Sequence, residues 1–226
     1  ILLSINNLFN NNILQKRLVV ALIMKWILEG RIEFQNNSLF IKNKDFVNDK
    51  ADDNYIHLEK ELFTYLLRAA GANGCLEKNE FKKWCNRNYN ELILWFDRIE
   101  INAESYYKNI ELIRINTVET NNFFKKETKR TTVFTRELKL EALKLFGLQK
   151  FLLDFGRMYE KQTIEVSLWN YYLICAELFG IADKVRKELN NLKEDIENKE
   201  YSKVIIKDIT QLSRNTIYNI NFLQFL

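Results

Sequence analysis

Ile13-Leu-Gln-Lys-Arg-Leu-Val-Val-Ala-Leu-Ile-Met-Lys-Trp-Ile-Leu28-Glu-Gly30, continued by Arg31-Ile-Glu-Phe34 and Leu39-Phe-Ile-Lys42, decides how this chain folds. In the first run Leu14, Leu18, Leu22 and Trp26, flanked by Val19, Ile23 and Ile27, recur at three- and four-residue steps. That is the period at which side chains stack on one side of a helix. Gly30 stands where a helix hands over to a left-handed residue and stops. Two short alternating segments follow, separated by Gln35-Asn36-Asn37-Ser38, and apolar alternation around a polar turn predicts a hairpin. A helix followed by a two-stranded wing predicts a winged-helix-like unit over 1–54.

Working outward, Leu58, Leu62, Tyr65 and Leu66 mark a second helix that Gly71-Ala-Asn-Gly74 ends. Cys75-Leu76 fits a short strand, Glu77 to Asn86 a helix around Phe81 and Trp84, and Tyr89 to Ile101 another around Leu92, Trp95, Phe96 and Ile99. Helix, short strand, helix and helix predict a second winged-helix-like unit over 55–115. Residues 116–135, rich in Asn, Thr, Lys and Arg, read as an exposed connector. From Arg136 helical spacing returns through Leu138, Ala142, Leu145 and Leu152, and again over Val166 to Phe179, with Thr163 or Ser167 as a cap and Gly180 as a bend. A charged helix from Glu188 to Glu200 and a tail containing Val204, Ile205, Ile209, Leu212 and Ile217 complete a helical region over 136–226. The fold class expected is mainly α with small β wings (α+β): two winged-helix-like units and a C-terminal helical bundle.

Composition bounds the function. The chain has 226 residues, 47% of them hydrophobic and 13% aromatic, which is enough apolar surface to build a core and excludes long disorder. The absence of Pro beside many Asn, Ile and Lys reads as coding bias and carries no structural message. A net charge of +4 is too small an excess for a dedicated polyanion binder. Cys75, Cys85 and Cys175 are odd in number and lack Cys-x-x-Cys spacing, so free thiols in a reducing compartment are expected. No apolar run reaches the roughly 18 residues of a membrane span, since Lys25 interrupts the longest at Leu18 to Leu28. The opening Ile-Leu-Leu-Ser-Ile lacks the basic start of a signal peptide, and Ile at the first position reads as the start of a fragment.

Catalytic constellations are missing from the sequence. His57 is the single histidine, so a nucleophile-His-acid arrangement has one candidate base and no signature around any cysteine. Asp154-Phe155-Gly156 spells a kinase magnesium motif without the Gly-rich loop, catalytic loop or strand lysine that would accompany it. Phe151 and Phe155 are four apart and read as one face of a core helix. No metal or cofactor is expected. A stripe of Trp169, Tyr172, Leu173, Ala176 and Phe179 reads as core packed against the Phe151 helix, with Trp169 and Phe151 buried on each other's helices.

The charged positions that read as interaction sites are Lys78, Lys82, Lys83 and Arg87 on one helix and Lys125, Lys126, Lys129 and Arg130 in the connector. Beside a bilayer they suit weak contact with anionic lipid. Lys16, Arg17, Lys25 and Arg31 form an alternative centre for a winged-helix nucleic-acid binder. In the second unit Glu91, Asp97, Glu100 and Glu104 would repel phosphate.

One stretch carries a family resemblance. Gly147-Leu-x-x-Phe151-Leu152-x-Asp154-Phe155 and then Leu168-Trp169-x-x-Tyr172-Leu173-x-x-Ala176-x-x-Phe179-Gly180-Ile-Ala-x-Lys184-Val185 resemble the closing motif of the YciQ-like family of predicted bacterial membrane proteins, to which no function is assigned. The resemblance implies a cytosolic C-terminal region, on the cytoplasmic side of the bacterial cell membrane, attached in the whole protein to membrane spans. With no catalytic constellation, the function expected is a non-enzymatic protein-interaction or self-association module with an unidentified protein partner.

Overall fold

The computed structural model describes residues 11–48, 54–122, 125–154 and 169–187, without the side chains of 11–14, 54, 117–122, 125–130 and 169. The fold is mainly helical with small antiparallel sheets. Helix α1 spans Asn11–Leu28 and buries Ile23, Met24, Trp26 and Ile27. It ends as its sequence predicts: Gly30 takes φ +71°, its N–H bonds the Ile27 carbonyl, and the Arg31 N–H bonds that of Trp26. This pair of bonds closes the Schellman motif, in which a left-handed residue lets the last carbonyls find donors.

Strands β1 (Ile32–Gln35) and β2 (Ser38–Ile41) form the expected hairpin, with Gln35 opposite Ser38. Asn36 and Asn37 sit at φ 50° and 58°, as a two-residue turn matched to strand twist requires. Ile32, Phe34, Leu39 and Ile41 point inward. A 3-10 turn at Lys44–Asn48 then inserts Phe46 edge-on against Phe63, with ring centroids 5.2 Å apart. Helix α2 (Asn54–Ala70) supplies Leu58, Leu62, Phe63, Tyr65 and Leu66 to the core.

Strand β3 (Cys75–Glu77) pairs antiparallel with β2, placing Leu76 opposite Leu39 in a sheet ordered β1-β2-β3. The strand expected in the second unit thus completes the sheet of the first, and stretches 1–54 and 55–115 contribute to one hydrophobic cluster. Helix α3 (Lys78–Arg87) buries no residue. Helix α4 (Tyr89–Asn109) runs well past the Ile101 limit read from the sequence and buries Trp95, Ile99 and Ala103. The Trp95 indole N–H donates to the Leu58 carbonyl at 2.8 Å, tying α4 to α2.

The stretch expected as an irregular connector is a β-ribbon. Strand β4 (Ile113–Asn122) pairs along its whole length with β5 (Lys125–Phe134), from Ile113 opposite Phe134 to Asn122 opposite Lys125. Its Thr and Val content favours extended backbone, while its polar residues hide the apolar alternation by which strands are usually read. Helix α5 (Arg136–Leu153) starts at Thr135, whose hydroxyl accepts from the Leu138 N–H at 3.4 Å. Helix α6 (Trp169–Phe179) packs on α1 and α5 and ends in a second Schellman motif, with Gly180 at φ +71°. Gly180 is the expected bend, and a helical turn over 182–187 follows, burying Ala182 and Val185. Thr163, Ser167 and the tail from Glu188 onward lie outside the described residues.

Candidate functional site

The basic candidates occupy two separate elements. On α3 a capping box between Glu77 and Glu80 fixes the N-terminus, and Phe81 and Trp84 turn toward the body, stacked with centroids 6.5 Å apart. Trp84 in turn lies 5.3 Å from Tyr65 of α2. Lys78, Lys82, Lys83 and Arg87 are all exposed. Lys125, Lys126, Lys129 and Arg130 fall on β5, opposite Asn122, Asn121, Val118 and Thr117. The ribbon gives these four a fixed register that the expected connector would lack.

The alternative nucleic-acid centre is largely engaged by its own fold. Lys25 bonds both carboxylate oxygens of Glu59 at 2.8 and 2.9 Å and lies 3.7 Å from Glu29. Arg31 pairs with Glu29 and sits 3.9 Å over the ring of Phe46. Arg17 lies against Gly180. Its charge partly offsets the burial that pushes the nearby Glu177 carboxyl above its ordinary range. Of the four, Lys16 is exposed and the other three are half-buried.

The resemblance motif divides between core and surface. Leu152, Leu173, Ala176 and Val185 are buried, and Phe151 meets Tyr172 edge-on at 5.6 Å, so within the expected stripe on α6 Leu173 and Ala176 are core and Tyr172 packs half-buried against α5. Phe179 is half-buried, Asp154 closes α5, and Lys184 is exposed. Phe155, Leu168 and the Trp169 side chain lie outside what is described, and with them the expected contact between Trp169 and the Phe151 helix.

Gly147 points elsewhere. It lies mid-helix, and a Cβ built on it would meet nothing within 4 Å. Leu140 and Leu143 share its side of α5, within roughly 60° of one another on a 3.6-residue turn, opposite buried Leu138 and Ala142. They are 49% and 62% exposed, far above the burial a packed leucine shows. Phe146 lies beside the row at 39%. Four basic residues (Arg136, Lys139, Lys144, Lys150) against two acidic ones (Glu137, Glu141) give α5 a net charge of +2. The signal was present in the sequence: Leu138, Leu140, Ala142, Leu143, Leu145 and Phe146 are too many apolar positions for one helical face.

Chemically reactive groups are muted. Burial pushes the Cys85 thiol up to about 11 and raises that of Cys175, which leaves both as protonated, poorly nucleophilic groups near neutrality. Cys75 is also free, and His57 is exposed. Among the described residues no three His, Cys, Asp or Glu side chains are placed to hold a metal ion. No described helix is long and apolar enough to cross a membrane. No family model, curated protein or solved structure matches this chain.

Proposed function

We propose that this chain is a non-enzymatic protein-interaction module whose docking face is the outer side of α5. The observation that carries the reading is the pair Leu140 and Leu143, exposed on the side of the helix opposite its buried face. A solvent-facing Leu row on an otherwise amphipathic helix costs solubility unless something covers it, and an amphipathic partner helix reads such a row at i, i+3 and i+7. Gly147 continues the row without a side chain, and a Cβ built there would meet open space, so a partner helix can approach the backbone closely at this turn. The net positive charge of α5 selects an acidic partner helix, because like charges across an interface are costly. The resemblance of the α5–α6 motif to the YciQ-like family supports a place on the cytosolic face of a bacterial membrane.

The test is a titration of a designed acidic peptide, with leucines at i, i+3 and i+7, against the chain and against Leu140→Glu/Leu143→Glu. The reading expects saturable binding that the double substitution abolishes. Equal binding to both proteins, or binding to neither, contradicts it.

The β4–β5 ribbon favours a second reading, contact with a polyanionic surface, because four cations are held in register on one of its strands. Phosphate-driven binding weakens steeply with salt, so a salt titration separates it from docking on α5.

A further inference from the structure

Resting on the docking face of α5, we infer that the acidic helix this face takes is α4 of a second copy, so that the chain self-associates through two different surfaces of its own. On α4, Leu94 and Ile101 are 57% and 63% exposed, in the range of Leu140 and Leu143. They lie within roughly 20° of one another on a 3.6-residue turn, on the side away from buried Trp95, Ile99 and Ala103. Their seven-residue step is also the step from Leu140 to Gly147.

Charge selects this pairing over others. Four acidic residues (Glu91, Asp97, Glu100, Glu104) against two basic ones (Arg98, Lys108) give α4 a net charge of −2, opposite in sign to the +2 of α5. Asp97 and Glu104 are exposed beside the α4 row, whereas Arg98 is paired with Glu61. On α5 Lys144 and Lys150 are exposed. Two copies of α5, or two of α4, would set like charges against each other, which is costly. An apolar row flanked by opposite charge is the pattern by which one amphipathic helix recognises another.

Both rows stay open within one chain. The Thr135 N–H bonds the Leu112 carbonyl at 3.1 Å, tying the backbone just after α4 to the residue that caps α5. In that arrangement Leu94, Ile101, Leu140 and Leu143 all remain exposed, so the two helices of one chain do not cover each other. A second copy brings the missing half. A two-fold dimer uses the contact twice, α4 of each copy on α5 of the other, and a longer assembly uses it once at every joint.

Sedimentation equilibrium of the full chain tests this, beside Leu94→Gln/Ile101→Gln, which loses the α4 row, and Leu140→Glu/Leu143→Glu, which loses the α5 row. The inference expects the parent's mass to rise above the monomer with concentration while each variant alone stays monomeric. Their equimolar mixture should form a one-to-one complex, because each supplies the face the other lacks. Self-association by Leu94→Gln/Ile101→Gln alone, or a mixture that stays monomeric, overturns the inference. A parent that stays monomeric where it binds the designed acidic peptide overturns it too and leaves the docking face standing. A parent that neither associates nor binds the peptide overturns both.

A second measurement works through charge alone. Asp97→Lys/Glu104→Lys should weaken the parent's association roughly tenfold, and adding Lys144→Glu/Lys150→Glu to the same chain should restore it, since the signs are then exchanged between the two helices. Weakening that the second pair fails to reverse overturns the inference. So does association that the first pair leaves unchanged.

Discussion

The indole N–H of Trp26 donates to Glu59 at 2.7 Å, so the largest fully buried side chain of α1 is anchored by a carboxylate from α2. Glu59 also receives Lys25 and is only 13% exposed. Removing it leaves a buried donor without a partner, which costs about 1–3 kcal/mol. Glu59→Ala should therefore lower the unfolding free energy in urea by about that much. Glu59→Gln keeps an acceptor and should lose less.

Two glycines of one motif should respond oppositely to Ala. At Gly180 φ is +71° and the Arg17 guanidinium occupies the place of a Cβ, so Gly180→Ala should destabilise by about 1–2 kcal/mol. Gly147 has open space and an ordinary helical position, so Gly147→Ala should stabilise the free protein by about 1 kcal/mol. It should also weaken peptide docking by holding a partner helix off the backbone at this turn. Paired denaturation and binding curves check both.

Much of this fold was legible because local chemistry and tertiary structure agree. Asn36-Asn37 marked the first hairpin and Gly30 and Gly180 marked two helix ends, since positive φ limits which residues stand there. The pairing of β3 with β2 joins Leu76 to Leu39, and no local pattern encodes so distant a partner. The second ribbon was hidden because Thr, Asn and Lys replace the apolar residues that make alternation visible. Helix α4 outran its apolar pattern, ending at a left-handed Glu111, φ 59°, where glycine would be favoured. The outer face of α5 was missed because periodicity assigns apolar residues to a core without asking whether one face can hold them all.

Alkaline pH should strike at Tyr65. Burial first, and then its hydrogen bond to Glu61 at 2.6 Å, push its phenol up to about 12. The folded state therefore holds this proton more tightly than the unfolded chain, whose phenol titrates near 10. Stability from this group is intact below pH 10 and is lost as pH rises from there through about 12. Following phenolate absorbance and unfolding together, Tyr65→Phe should remove the corresponding part of the alkaline loss.

The basic face of α3 and the β5 cations should give weak, salt-sensitive association with anionic vesicles and little with neutral ones. Each well-placed basic residue contributes about 1 kcal/mol near such a surface and is screened within about 8 Å at physiological ionic strength. Sedimentation should show Lys82→Ala/Lys83→Ala/Arg87→Ala losing most of the α3 contribution. Equal binding to neutral and anionic vesicles would make these lysines an ordinary solvated face.

The central claim is that Leu140 and Leu143 serve a contact beyond the helical core that Leu138 and Ala142 build on the other side of α5. Thermal unfolding of Leu143→Glu beside Leu138→Glu tests it most directly. The account predicts that Leu143→Glu melts within a few degrees of the parent, while Leu138→Glu, which places a charge at a position only 1% exposed, loses its cooperative transition. A comparable collapse of both variants would place Leu143 in the core and contradict a docking face on α5.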